Sequence, residues 1–185
     1  KMIKIGITGS IASGKSLVAH LLSKRKKFLF SADEEVKTLY KQKNFKFKLA
    51  KKFKLNEKSC KEDVKNKILN KKINLKKLGK FIQPFVRKKM HKFTKKNHKA
   101  EILFYEIPLL VESNLMPFFD LIILIVSDKK LRVKRYKDKN GDIRLFNIIE
   151  KNQIPQNKKI KYSDFVIVNN KSKKILKNKI NNIII

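Results

Sequence analysis

Gly9–Ser16 reads GSIASGKS, directly after the apolar stretch Met2–Thr8, MIKIGIT, and before a run with apolar residues at helical spacing, Leu17, Val18, Leu21 and Leu22. The pattern G-x-x-x-x-G-K-[ST] is met by Gly9, Gly14, Lys15 and Ser16. Glycines let the backbone curl so that successive N–H groups point inward at phosphate oxygens. The following helix presents its N-terminus to the same anion. The lysine reaches the β- and γ-phosphates, and the serine hydroxyl ligates Mg²⁺. A strand before and an amphipathic helix after are the context this motif requires, so the stretch predicts a nucleoside-triphosphate site for ATP with Mg²⁺. Contacts are expected from Gly9, Ser10, Ile11, Ala12, Ser13, Gly14, Lys15, Ser16 and Leu17, with Ser16 as the metal ligand.

Further apolar runs follow. Lys27–Asp33 (KFLFSAD) reads as a second strand. Ala100–Glu112 (AEILFYEIPLLVE) begins as a third that stops at Pro108. FDLIILIV, ending at Val126, is a fourth, and Asp164–Asn170 (DFVIVNN) a fifth. Strands separated by helices predict a parallel sheet covered on both faces. The expected fold is α/β, a three-layer P-loop nucleotide-kinase type with five parallel strands. The 185 residues make one domain. Its core spans about 1–33, 100–128 and 158–185. A lysine-rich helical insertion fills about 34–100, and a charged lid, broken near Asn140-Gly141, about 129–157. KSKKILKNKINNIII closes the chain as an amphipathic helix.

Composition narrows the class. There are 48 Lys+Arg against 15 Asp+Glu, a net charge of +33. Such charge suits nucleic acid or an anionic membrane. The lysines are spread over the chain, however, and its usage, rich in Lys, Asn, Ile and Phe, is what an AT-rich coding sequence gives. Nucleic acid is therefore not expected as a physiological partner, and neither is a membrane, since no apolar run reaches the roughly 20 residues a span needs. The single cysteine, Cys60, forms neither an internal disulfide nor a Cys-cluster zinc site, and a cytoplasmic setting is expected. His20, His91 and His98 have no mutual spacing that suggests a metal. A monomer or weak oligomer is expected. A GTPase would carry N/T-K-x-D after a strand, and the fourth strand ends in VSDKK instead.

In order along the chain, IGITGSIASGKS, SAD (Ser31–Asp33), QPFVR (Gln83–Arg87), EIPLLVE (Glu106–Glu112) and NQIPQNKKIKYSDFVIVNN resemble dephospho-CoA kinase. That family shows a TGGIGSGKS-like loop, a DAD-like element, HPLIR, D-x-PLLFE and Q…K…AD-x-VI-x-N. The resemblance implies transfer of the γ-phosphate of ATP to the ribose 3′-hydroxyl of dephospho-CoA. It makes Asp33 a catalytic carboxylate beside Lys15, accepting the hydroxyl proton or orienting that hydroxyl through Mg²⁺. Arg87 would hold an anionic part of the acceptor, joined by Gln83, Glu106 and Glu112. Glu106 either touches Mg²⁺ through water or hydrogen-bonds the loop backbone. Arg132, Arg135 and Arg144 are candidate lid cations, with Arg135 and Arg144 chosen, and Asn170 is placed near the adenine.

Three positions depart from the family: Ser31 lacks the first carboxylate of DAD, Gln83 stands for histidine, and Ser10 for the second glycine. A nucleoside monophosphate kinase of the same architecture, or a nucleic-acid-binding ATPase, are the competing readings.

Overall fold

The computed structural model describes residues 2–23 and 28–181. Five parallel strands lie in the order β2-β3-β1-β4-β5: β1 (Ile3–Gly9), β2 (Leu29–Ser31), β3 (Ile102–Glu106), β4 (Leu121–Val126) and β5 (Phe165–Val168). The three central strands read as near-continuous apolar runs because helices cover both faces. On one face, Ile7, Ile123, Ile125 and Ile167 pack against Val18 and Leu22 of α1 (Lys15–Leu22) and against Leu176 and Ile180 of α9 (Lys173–Asn181). On the other, Phe30, Leu103, Tyr105 and Ile122 meet Met90 of α5 (Leu75–Lys96) and Phe119. At the amino ends of the strands, the carboxylates of Asp120 and Asp164 accept the N–H groups of Lys4 and Ile122 at 2.8 and 2.7 Å.

Between β2 and β3 lie α2 (Ala32–Leu39), α3 (Lys43–Phe53), α4 (Cys60–Leu69) and α5. They share a cluster of their own in which Leu39, Phe45, Leu49, Val64, Ile68 and Leu78 are buried. Cys60 is buried there too, free of any disulfide. The lysines of this layer sit on its outer faces, the usual place for solvated charge. Pro84 interrupts the hydrogen-bond ladder within α5, and beside it Lys80, Gln83, Pro84 and Arg87 line a cleft of about 300 Å³.

After β4 come α6 (Lys129–Lys137), α7 (Ile143–Asn152) and the short α8 (Gln156–Lys159). The break between α6 and α7 falls at Asn140, with φ 57°, and Gly141. Asp142 then caps α7 by accepting the N–H of Arg144 at 2.8 Å.

The strands match the expected ones, the first shifted by one residue to Ile3–Gly9 and the others with shorter limits. The main correction concerns the second. The strand proper is Leu29–Ser31, and Asp33 belongs to the first turn of α2 rather than to a strand end. Three acidic residues, Asp33, Glu34 and Glu35, stand in that first turn, where the helix dipole favours negative charge. Lys27, and residues 182–185 of the expected last helix, lie outside the described residues. Among the described residues no helix is long and apolar enough to cross a membrane.

Candidate active site

The register brings the carboxyl ends of the strands level. Ile7 and Ser31 both sit opposite Glu106, Gly9 opposite Ile125, and Val126 opposite Val168. Ligands of open α/β sheets bind at this edge. The Gly9–Ser16 loop occupies it. Gly14 has φ 97°, and a Cβ there would collide with Asn169 Nδ2. Only glycine combines that left-handed backbone with so close an approach. The loop is held from behind by β5, since Asn169 Nδ2 donates to the carbonyl of Ser13 at 2.8 Å.

Lys15 is almost wholly buried at the start of α1, and its Nζ donates to the carbonyl of Ser10 at 3.1 Å. Burial pushes its pKa down, while Asp33 and Glu106 nearby pull it back up. Glu106, at the end of β3, is buried and joins two hydroxyls. Ser16 Oγ donates to Oε1 at 2.6 Å, and Ser31 Oγ to Oε2 at 2.9 Å. The Ser31 contact follows from strand register, because Ser31 and Glu106 are neighbours across the sheet. Asp33 keeps part of its residue surface in solvent, but its carboxyl is screened by the protein packed around it and feels the charges of Lys15 and Glu106. The surrounding protein raises its carboxyl pKa, with the Lys15 ammonium opposing and the Glu106 carboxylate adding to the rise.

The paired oxygens of Ser16 and Glu106 fit a hard cation. No group of three or more His, Cys, Asp or Glu side chains among the described residues forms a dedicated metal cage. Mg²⁺ characteristically takes one or two carboxylates plus substrate phosphates and keeps its waters. The curled glycine loop with Lys15 at its mouth fits the polyphosphate itself.

Other expected residues have different tasks. Gln83 and Arg87, one turn apart on α5, both engage the segment after β3. Gln83 Nε2 donates to Ser113 Oγ, and Arg87 Nη2 to the Ser113 carbonyl, each at 2.8 Å. Arg87 is otherwise exposed on the cleft beside Pro84. Glu112 is engaged by two partners. Its Oε1 lies 2.7 Å from Lys159 Nζ, which is fully buried, and also accepts the N–H of Ile154 at 2.9 Å. Arg135 is packed against the phosphate loop, its guanidinium donating to Ser127 Oγ and the Asn169 carbonyl at 2.9 Å and reaching the Ser13 carbonyl at 3.5 Å. Arg132 is buried in a bidentate pair with Glu150 at 2.6 and 2.7 Å. Arg144 is exposed and tied only to Asp142. Asn170 ties down the residue that precedes α6. Its Oδ1 accepts the Asp128 N–H at 2.9 Å, and the asparagine touching the loop is Asn169. The three histidines are exposed.

The family profile for dephospho-CoA kinase matches residues 3–174. The chain belongs to the dephospho-CoA kinase family. Dephospho-CoA kinase from Rickettsia typhi is 34% identical over 167 residues, covering 90% of this chain and 87% of that one. Dephospho-CoA kinase from Campylobacter jejuni has a solved structure with a TM-score of 0.63 and 25% identity, covering 98% of this chain and 94% of the other. The crystal structure of TT1252 from Thermus thermophilus aligns with a TM-score of 0.73 and 26% identity over 98% and 96% of the two chains.

Against this dephospho-CoA kinase background, the residue that sequence reasoning passed over is Lys159. The family's Q…K element allows for a lysine here, but Lys158, Lys159 and Lys161 all stand near it, and it is the fold that turns Lys159 inward onto Glu112. Breaking a buried pair leaves its partner charged and unneutralised. Lys159→Met is therefore expected to cost about 3–5 kcal/mol in unfolding free energy, read by urea denaturation. Adding Glu112→Leu should recover most of that loss.

Proposed function

We propose that this chain transfers the γ-phosphoryl group of ATP to the ribose 3′-hydroxyl of dephospho-CoA, giving CoA and ADP. The observation that carries the reading is the grouping of Asp33, Lys15 and the Ser16–Glu106 pair at the carboxyl edge of the sheet, in a chain whose family is dephospho-CoA kinase. In the reaction the 3′-oxygen forms a bond to the γ-phosphorus, the bond from that phosphorus to the β,γ-bridging oxygen breaks, and ADP leaves. Asp33 takes the hydroxyl proton as general base. Lys15 turns from the Ser10 carbonyl to the phosphates and stabilises their developing charge.

Mg²⁺ would supply positive charge that neutralises the phosphates. Ser16 Oγ would hold it, with Glu106 orienting that hydroxyl. The α2–α5 layer holds the acceptor, with Arg87 and Gln83 reaching it from the cleft beside Pro84. The α6–α7 pair is the lid. Of its three arginines, Arg144 is free to swing over the γ-phosphate, because an exposed pair such as Arg144–Asp142 is weak.

Glu106→Gln keeps an acceptor for Ser16 and Ser31 but removes the charge. Turnover should fall about 10–100-fold, the usual effect of losing an outer-shell partner, with part of it restored by raising Mg²⁺, measured as rate against metal concentration.

The reaction itself is tested by ADP release from Mg-ATP with and without dephospho-CoA, with the product weighed by mass spectrometry. Acceptor-dependent release and the mass gain of one phosphate are expected. Phosphorylation of AMP or CMP with none of dephospho-CoA would overturn the assignment.

A further inference from the structure

Ile11 lies near the crest of the phosphate loop, and both of its backbone polar groups are gripped by the lid. Its N–H donates to Gln153 Oε1 at 3.0 Å, and its carbonyl accepts from Arg132 Nη1 at 3.3 Å. Gln153 closes α7, and Arg132 belongs to α6, so the two grips come from different helices. Each grip is itself fixed. Arg132 Nε donates to the Ser127 carbonyl at 3.0 Å, and its two terminal nitrogens hold the carboxylate of Glu150 on α7. That pair also holds the Glu150 carboxyl below its ordinary pKa. The residue after Gln153 donates its N–H to Glu112, whose carboxylate is fixed by buried Lys159.

The residue after Ile11 explains what such a grip is for. Ala12 has φ 57°, in the left-handed region that an L side chain disfavours. A backbone in that state persists only when its surroundings over-determine it. Ala12 lies between Ile11, held by the lid, and Ser13, whose carbonyl is held by Asn169.

We propose that Gln153 and Arg132 are positioning residues that keep the phosphate loop in its nucleotide-ready shape by holding Ile11 at both its N–H and its carbonyl. The proposal rests on the reading of that loop as the ATP site. Neither residue is assigned a contact with the reacting atoms. The lid thereby contributes to nucleotide affinity through the loop, by lowering the ordering cost of binding.

Gln153→Met tests this, because it keeps side-chain length and removes the acceptor. Gln153 is only half-buried, so the variant is expected to fold. Calorimetric titration with Mg-ADP should show a Kd raised about fivefold, the worth of one hydrogen bond. KM for ATP should rise in step, while kcat stays within about twofold. An unchanged Kd with only a lowered Tm, or a fall in kcat at constant KM, would overturn the proposal. Should the variant fail to fold, amide exchange at Ile11 in the unaltered protein without nucleotide decides. Protection supports the grip, and exchange at the rate of an open loop removes it. The ADP titration needs no acceptor, so a chain that binds Mg-ADP but phosphorylates nothing would defeat the proposed reaction and leave this inference standing.

Discussion

Asp33→Asn is expected to lower kcat by about 10²–10⁴-fold, the range a positioned general base supplies. ATP affinity should stay near that of the unaltered chain. The carboxamide keeps the size and much of the hydrogen bonding of the carboxylate, but it cannot take the proton of the ribose hydroxyl. The pH profile gives a second reading. Burial raises the Asp33 carboxyl, and Lys15 only partly opposes this. The base works when deprotonated, so activity falls as pH drops through its pKa. A raised pKa places the acid limb of kcat/KM at a higher pH than an ordinary aspartate would give. In Asp33→Asn that limb should disappear.

The stability sign runs the other way. A carboxyl raised in the folded state binds its proton more tightly there than in the unfolded chain. Its contribution to stability is complete below the ordinary aspartate range and is lost as pH rises through the folded value. At neutral pH Asp33→Asn is therefore expected not to lower Tm, and thermal melts check this. Near-normal turnover in the variant would mean that another group accepts the proton.

Lys15→Ala should have an effect of comparable size by a different route. In the proposed reaction the variant loses the cation that meets the transferring phosphoryl group, and loss of one preorganised electrostatic stabiliser costs about 10²–10³-fold in kcat. Unlike Asp33→Asn, it should also weaken ATP binding, since Lys15 is expected to hold the phosphates in the ground state too. The two variants are thus separable by calorimetry with ATP alone. Lys15 also opposes the upward shift of Asp33. Without its ammonium, burial and Glu106 are opposed only by the weaker pull of Lys37, so the acid limb of the residual activity should move further up in pH. ATP binding unchanged in Lys15→Ala would remove the lysine from the phosphate site.

The distribution of lysine shows why composition alone said little about partners. The chain carries a net charge of +33, yet two of its lysines at the site, Lys15 and Lys159, are buried and engaged. Neighbours such as Lys158 and Lys161 are exposed. Burial of a cation is decided by whether a carboxylate or carbonyl waits for it in the folded protein, and no local pattern records that.

What the sequence determined by itself was everything carried by local backbone demand and by periodicity. Gly9, Gly14, Lys15 and Ser16 identify the loop because curling a backbone around phosphate needs glycine at fixed offsets, next to a strand and a helix. The apolar runs give five strands because a sheet covered on both faces needs them. Glu106 is legible because it ends one such run beside Pro108.

The tertiary structure alone decided which side chains of the flanking segments turn inward. At the end of β5, consecutive residues face opposite ways. One step of register therefore separates Asn169, which holds the loop, from Asn170, which ties down Asp128. The three lid arginines look alike in sequence. Arg132 is fixed by Glu150 one helix away, Arg135 by Ser127 and Asn169, and Arg144 is left at the surface. These differences depend on partners brought together only when the helices pack, and a one-dimensional pattern holds no trace of a contact between residues 18, 34 or 142 positions apart.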